Sequence, residues 1–487
     1  ILSMFAYQPR LYRSLIHCVK RVSETSHFKV NLSGMLFYIS VKAKIIVIIF
    51  WQSLKTWKKR MPIDLTTCRS DPVITTISTP EFRSIFTPEL EELIKLFKKH
   101  NYELRVAGGA VRDILMGMQP TDLDFASDAT PDQMVQMFTE ENIRMINTNG
   151  LKHGTVTPRI NDAMNFEVTT LRVDVETNGR HAKVQFTTDW KQDAGRRDLT
   201  INSMFLDFEG KVYDYFYGYD DLQKRRIVFV GNPEDRIRED YLRILRYFRF
   251  YGRIADHPDK HDENTIKAIT NNASGLEDIS GERIWKEWAL ILTGRFNEEM
   301  TLKMLECGVG RYMGLPETTR NDHFSEVCQR SKNQNFMLES ISYATALLFN
   351  INDLENLIKR LKVSRYHQDL SAFILENRDE KFDDENLTYY LKRIVTSGRQ
   401  DVLRKIIIET LRYKGKADLV KQIEDFSIPK FPVDGRLLSD YTNEPKHYGL
   451  IIKQLRGIWA ESLCQKDCKD LLKEVPQIID DIENRTK

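Results

Sequence analysis

Long apolar runs are missing from this 487-residue chain. The most hydrophobic stretch, 45–51, sits beside Lys42 and Lys44 and falls far short of the roughly 20 residues that span a bilayer, so no transmembrane helix is expected. Cysteine is scarce. Six thiols are too few for a disulfide framework and fit a reducing compartment, and Cys464 and Cys468, one helical turn apart with no histidine nearby, are expected to be thiols rather than zinc ligands. With 23 Gly and 15 Pro against 41% apolar and 29% charged residues, collagen-like and wholly disordered classes are excluded and two to four globular domains are expected. Acid is nearly absent from the first 69 residues, which carry Glu24 and Asp64 against twelve Lys/Arg, a balance of +10, while the remainder is at −8.

That basic segment has a character of its own. The chain opens on Ile1, so Met4, Met35 and Met61 are candidate initiators. The text from Met4, rich in Arg, aromatic residues and Leu and free of acid until Glu24, has the composition of a mitochondrial transit peptide. Residues 1–75 are therefore read as a basic leader, either targeting or a disordered extension.

From residue 80 onward the pattern becomes globular. Thr87-Pro88-Glu89 carries an N-cap, a first-turn proline and an early acid, leading into the stripe Leu90, Leu93, Ile94, Phe97. Strand signals recur at 102–107, 122–126, 155–159, 165–172, 184–187, 203–207, 212–215 and 227–230, with helices between; beyond about 232 only amphipathic helices remain, as at 235–251, 283–292, 354–361 and 402–411. The expected fold class is α+β, a mixed sheet with helices over 80–231 as a catalytic-looking head, then a long all-α remainder over 232–487.

Two features of the head carry chemistry. The strand ending at Ala107 runs directly into Gly108-Gly109-Ala110-Val111-Arg112-Asp113, a strand-to-helix turn whose glycines let backbone N–H groups approach an anion. Thirteen residues after Gly109 comes Asp122-Leu123-Asp124-Phe125. On a strand, positions i and i+2 point the same way. Two converging carboxylates repel, and a hard divalent cation such as Mg²⁺ resolves the repulsion. A phosphate cradle beside such a pair suits nucleotidyl transfer, in which a hydroxyl attacks the α-phosphorus of a triphosphate and pyrophosphate leaves. Glu167, in a strand-like run, is a candidate third ligand or equally a strand-edge ion-pair residue.

A third feature lies in the helix expected from Asn232-Pro233 to Gly252, with the stripe Ile237, Tyr241, Ile244, Phe248. Asp240 and Arg243, three apart, would share another face, either as an intrahelical ion pair or reaching one ligand together. Cytosine and adenine each present an exocyclic amino donor beside a ring-nitrogen acceptor, whereas uracil and guanine present a carbonyl beside an N–H. Ionised Asp accepts only and Arg donates only, so this pair matches C and A, and each mispaired group costs about 1–3 kcal/mol. Glu239 is placed to orient the Arg243 guanidinium, and Arg246 adds a phosphate or base contact, unless either is a surface partner.

Five motifs in this order, GGAVRD with DLDFA (108–113, 122–126), RRDLTINSM (196–204), YGYDDL (217–222), EDYLRILRYFRF (239–250) and GERIWKEW (281–288), resemble the CCA-adding tRNA nucleotidyltransferases of the class shared by bacteria and eukaryotes, within the polymerase-β-like superfamily. The run TTLRVDVETNGRHAKVQFTTDW (169–190) is similar to the mitochondrial-type eukaryotic members. The resemblance implies a two-metal Mg²⁺ site on Asp122 and Asp124, a triphosphate held by Gly108, Gly109 and Arg112, and contacts to nucleotide sugar and phosphates from Arg197, Asp198 and Asn202. For Arg196 a structural Arg–Asp pair stays open. The resemblance also implies a mobile loop at 173–191, CTP and ATP as substrates, and a division of the helical remainder into a neck at 232–297 that selects the base and a body and tail at 298–487, these regions binding the acceptor and TΨC arms of tRNA. The order C, C, A and the stop after A come from the resemblance alone. The stretch 391–424, with nine Lys/Arg and four acids, fits either a duplex-RNA grip or a solvated pair of amphipathic helices. No membrane partner is expected, the assembly is a monomer or homodimer, and mitochondrial, cytoplasmic and nuclear pools are all compatible. The rivals are a bacterial-type poly(A) polymerase and a catalytically silent RNA-binding protein on the same fold.

Overall fold

The computed structural model describes residues 68–146, 148–177, 182–379 and 386–486. The leader reading falls outside them for residues 1–67, but its last residues belong to the head: Val73–Thr76 is a strand paired with Lys211–Tyr213, so the head begins before residue 80. Among the described residues eleven strands are formed: β1 (Val73–Thr76), β2 (Leu104–Ala107), β3 (Asp124–Ser127), β4 (Arg144–Ile146), β5 (Thr155–Ile160), β6 (Met164–Asn165), β7 (Glu167–Thr170), β8 (Arg172–Thr177), β9 (Ala182–Phe186), β10 (Phe205–Leu206) and β11 (Lys211–Tyr213). Nine join one mixed sheet in the order β1-β11-β10-β2-β3-β7-β5-β4, with β6 on β5; β3 and β7 are parallel and the other pairs antiparallel. All four residues of β2 are buried, as expected of a central strand. The helix Pro88–Lys99 covers the sheet with Leu90, Leu93, Ile94 and Phe97, and its Thr87 cap accepts the Leu90 N–H.

After Tyr213 the described chain is helical, and one apolar core runs without a break from Phe82 to Ile423. A second, smaller core joins Leu391 and Val395 to C-terminal residues from Val433 to Ile482.

Three further expectations change. The run 227–230 is not a strand: Ile227, Phe229 and Val230 are buried, but the backbone makes only a single antiparallel bridge, Phe229 to Leu199. Asp122 precedes its strand, which begins at Asp124, so the two carboxylates are brought together by a bend leading into β3 rather than by strand alternation. The described residues of the segment at 173–191, which the resemblance implies to be a mobile loop, form an antiparallel ribbon of β8 and β9 that leads into the helix Trp190–Gly195.

The third change concerns the helix expected over 232–252. It is two helices, Pro233–Glu239 and Arg243–Ile254, the second running past Gly252. Between them Asp240 is extended, at φ −150° and ψ 106°. Its carboxylate Oδ1 accepts the Leu242 N–H at 3.1 Å. This local side-chain bond competes with the helical backbone ladder, as aspartate does where helices start and turn. The stripe survives the break, with Ile237, Ile244 and Phe248 fully buried and Tyr241 partly so.

Candidate active-site cleft

Five helices frame the site: α1 (Gly109–Leu115), α2 (Trp190–Gly195), α3 (Pro233–Glu239), α4 (Arg243–Ile254) and α5 (Gly281–Leu292). A cleft of about 470 Å³ gathers the turn before α1, the start of β3, the segment after α2, and α4 with the Asp240 break. Of the residues singled out from sequence, Gly108, Gly109, Arg112, Asp122, Asp124, Arg197, Asp198, Asn202, Asp240, Arg243 and Arg246 all line it. Seven arginines and five aspartates make up its charge. The excess of fixed positive charge suits a polyanion.

Gly108 sits at φ +67°, a left-handed conformation glycine adopts without a Cβ penalty. A Cβ there would also lie 2.7 Å from Arg197 Nη1, so the turn and the arginine depend on each other. Asp122 and Asp124 are both exposed to the cleft. Desolvation raises the Asp124 pKa, Arg197 opposes this, and the negative charge of Asp122 adds to it. Glu167 faces Asp124 across the parallel β3–β7 register but does not line the cleft. Among the described residues no three His, Cys, Asp or Glu side chains form a group able to hold a metal. Two hard carboxylates, with the rest of the coordination left to water and phosphate oxygens, nonetheless fit Mg²⁺ chemistry, which commonly uses one or two protein carboxylates plus substrate phosphates.

The remaining polar side chains form a hydrogen-bonded chain. Arg112 donates to Asp113 from Nε and Nη2 (2.9 and 2.8 Å) and to Asn202 Oδ1 from Nη1. Asn202 donates to Asp198 Oδ1 at 3.2 Å, and Arg246 donates to Asp198 Oδ2. Burial pushes the Asp198 carboxyl upward, but the Arg246 guanidinium overcomes it and holds the pKa down at about 2. Asp198, Asn202 and Arg112 are all nearly buried. They brace the cleft wall in addition to facing it. Arg196 and Arg197 share Asp193, so the structural pair left open for Arg196 is formed.

At the far end, Arg243 donates to Glu239 (2.7 Å), to the Arg236 carbonyl (3.0 Å) and to the Arg196 carbonyl (2.9 Å). Three of its five N–H groups are thereby fixed, and two are left for a ligand. Asp240 is held by the Leu242 N–H and, at 2.9 Å, by Arg283 of α5.

The poly A polymerase head domain family matches residues 104–228, and the family described as a probable RNA and SrmB-binding site of polymerase A matches 260–320. The mouse and human proteins named CCA tRNA nucleotidyltransferase 1, mitochondrial, are each 46% identical over 402 residues, spanning 81% of this chain and 92% of theirs. The chain belongs to the CCA tRNA nucleotidyltransferases. Its fold is also that of the solved Bacillus stearothermophilus CCA-adding enzyme in complex with CTP, 21% identical over 84% of this chain and 99% of that one, with a TM-score of 0.60. The Thermotoga maritima CCA-adding enzyme complexed with tRNA matches at 18% identity over 83% of this chain and 98% of that one, with a TM-score of 0.57.

In this CCA tRNA nucleotidyltransferase several cleft residues escaped the sequence reading. Arg249, Phe250 and Arg253 continue the Arg243 and Arg246 face of α4 at helical spacing, a pattern legible in EDYLRILRYFRF and the three residues that follow it. The Phe250 ring lies 4.7, 5.2 and 5.1 Å from the guanidinium carbons of Arg112, Arg246 and Arg249. Arg283 and Glu287 stand in GERIWKEW, where spacing alone shows no chemistry.

Proposed function

We propose that the chain adds C, C and A to the 3′ end of tRNA without a nucleic-acid template, using CTP and ATP. In this reading the tRNA 3′-hydroxyl attacks the α-phosphorus, the bond from that phosphorus to the bridging oxygen breaks, and pyrophosphate leaves. Asp122 and Asp124 would hold Mg²⁺, which would supply charge neutralisation and lower the pKa of the attacking hydroxyl. Arg197, and Arg112 through its two uncommitted N–H groups, grip the triphosphate near the Gly108-Gly109 turn. The Asp198, Asn202 and Arg246 chain ties that grip to the base-reading end, so base and phosphate are registered against one rigid wall.

The observation that carries the reading is the Asp240 and Arg243 pair at the edge of a cleft that also holds Asp122 and Asp124. Asp240 accepts the amino group of C or A, and Arg243 donates to the adjacent ring nitrogen. The break between α3 and α4 supports this reading, because Asp240 at a helix break is free of the helical surface and turns to the cleft. Glu239, hydrogen-bonded to Arg243, keeps the fork in place. Glu167, beside Asp124 in the parallel β3–β7 register, is the candidate third ligand.

The neck, body and tail over 232–487 supply the surface for the acceptor and TΨC arms. Because the relatives bear a mitochondrial name, the mitochondrion is the site of action we infer, with cytoplasmic and nuclear pools as the wider expectation. No helix among the described residues is long and apolar enough to cross a membrane.

The test is direct. Purified protein incubated with a tRNA transcript lacking its 3′ end, plus CTP and ATP, yields product whose sequenced ends read CCA. A long A tail would instead establish the poly(A) polymerase alternative, and no extension with intact tRNA binding would establish the silent one.

A further inference from the structure

Asp240 stands outside helical backbone, and its side chain retains 28% of its exposure. Nothing in its own segment but the Leu242 N–H restrains it. Arg246, on the next helix, is close enough for its charge to interact with that of Asp240. An unrestrained carboxylate would turn toward such a cleft arginine and lose the open edge on which a base is read. On its other side, Arg283 Nη2 donates to Asp240 Oδ2 at 2.9 Å from the neighbouring helix α5.

One turn later on α5, Glu287 is nearly buried and accepts from Arg249 at 3.2 Å, with Arg246 Nη1 3.7 Å away. Arg283 and Glu287 are four apart, so they share a face of α5. That face presents a cation to Asp240 and an anion to the arginines of α4. The two contacts pull opposite charges apart along the cleft wall, Asp240 toward Arg283, and Arg246 and Arg249 toward Glu287.

We propose that Arg283 is a specificity-determining positioning residue: it holds the Asp240 carboxylate so that its remaining lone pairs accept an amino group from the incoming base, and thereby enforces the choice of C and A over U and G. The inference rests on the base-reading role proposed for Asp240. Arg283 need not touch the nucleotide. Its contribution is one charge-assisted hydrogen bond at a fixed angle.

The test compares Arg283→Gln, Arg283→Lys, Asp240→Asn and the exposed control Lys286→Gln on the same helix. Each is assayed with each of the four nucleoside triphosphates on tRNA lacking its 3′ end, beside thermal melts. Arg283→Gln is expected to lower discrimination against UTP and GTP roughly tenfold, the scale of one charge-assisted hydrogen bond. KM for CTP and ATP rises by more than kcat falls, and the melting temperature is little changed. Arg283→Lys, which keeps the charge without the planar fork, recovers part of the discrimination. It also serves should the glutamine variant fold poorly. Lys286→Gln matches the parent protein. If both Arg283 variants lose activity only in proportion to lost stability, with discrimination intact while Asp240→Asn relaxes it, the bracing role is wrong and base reading stands. If Asp240→Asn also leaves discrimination intact, the base-reading assignment falls with it.

Discussion

The cleft and the stretch 391–424 are both rich in basic residues with partners inside the protein, yet they arrange them differently. In the stretch, Lys392, Arg399 and Arg412 pair with Glu461, Asp369 and Glu424. Arg393 donates to Asn377, Lys414 to the Asn377 carbonyl, and Arg404 to the Ile423 and Phe426 carbonyls at the end of a neighbouring helix. Six of the nine cations thus have partners within the protein, spread along successive helices. In the cleft all seven arginines are ion-paired too, but they converge on one volume from distant segments, and Arg112, Arg246 and Arg249 gather around the Phe250 ring. The difference teaches that local charge density does not identify a phosphate site; convergence of cations from distant segments does.

The largest effect that would break this contrast is at the metal carboxylates. Asp124→Ala is expected to reduce nucleotide incorporation by roughly a thousandfold or more, with tRNA binding unchanged in a filter assay. Equal loss of both would place Asp124 in the RNA surface instead.

Glycine substitutions sharpen the contrast next. Gly108→Ala forces a side chain into a left-handed conformation costing about 1–2 kcal/mol and pushes Arg197, so kcat/KM for CTP should fall about 10-fold to 100-fold. Gly398→Ala, with no atom within 4 Å of the added carbon, should alter neither activity nor melting.

Two buried acids give a subtler comparison with opposite signs. Asp198 is held at about 2 by Arg246 against the effect of burial, so its ionised form stabilises the fold above the ordinary carboxylate range, and this stabilisation is lost as pH falls from about 4 toward 2. Glu409, buried in the body and accepting from Ser342 and the Glu339 N–H, has its pKa raised by burial. Its ionisation costs stability at neutral pH, a cost that disappears as pH falls through its folded pKa. Melting curves should therefore show Asp198→Asn less stable than the parent at pH 7, converging in strong acid. Glu409→Gln should be more stable at pH 7, the gain fading toward pH 4.5. The same sign for both would refute the contrast.

The smallest expected effects are in the body. Arg399→Gln or Arg412→Gln, removing exposed pairs worth about 0.2–1 kcal/mol, should change tRNA affinity by no more than a few-fold. A large loss of affinity would make these side chains RNA contacts after all.

How far the sequence was legible tracks the range of the forces involved. The Thr87 cap, the stripe of Leu90 to Phe97, the buried strand before Gly108 and the Gly-Gly turn are local, and each appears as expected. The break at Asp240 was not legible, because no proline or glycine lies between 234 and 251 and the apolar period runs through it; the cause is one side-chain hydrogen bond. The run 227–230 has strand composition, but a strand needs a partner of matching length, and Leu199 supplies a single rung. The roles of Arg283, Glu287 and Phe250 depend on how α4 and α5 pack, which spacing alone does not give.

The central claim is that Asp240, as an acceptor-only group, excludes U and G. Asp240→Asn tests it most directly, since an amide offers both a donor and an acceptor where the carboxylate offers acceptors alone. Single-nucleotide incorporation with the four triphosphates should show UTP and GTP gaining on CTP and ATP. Incorporation that stays confined to C and A at the parent's rates would contradict it.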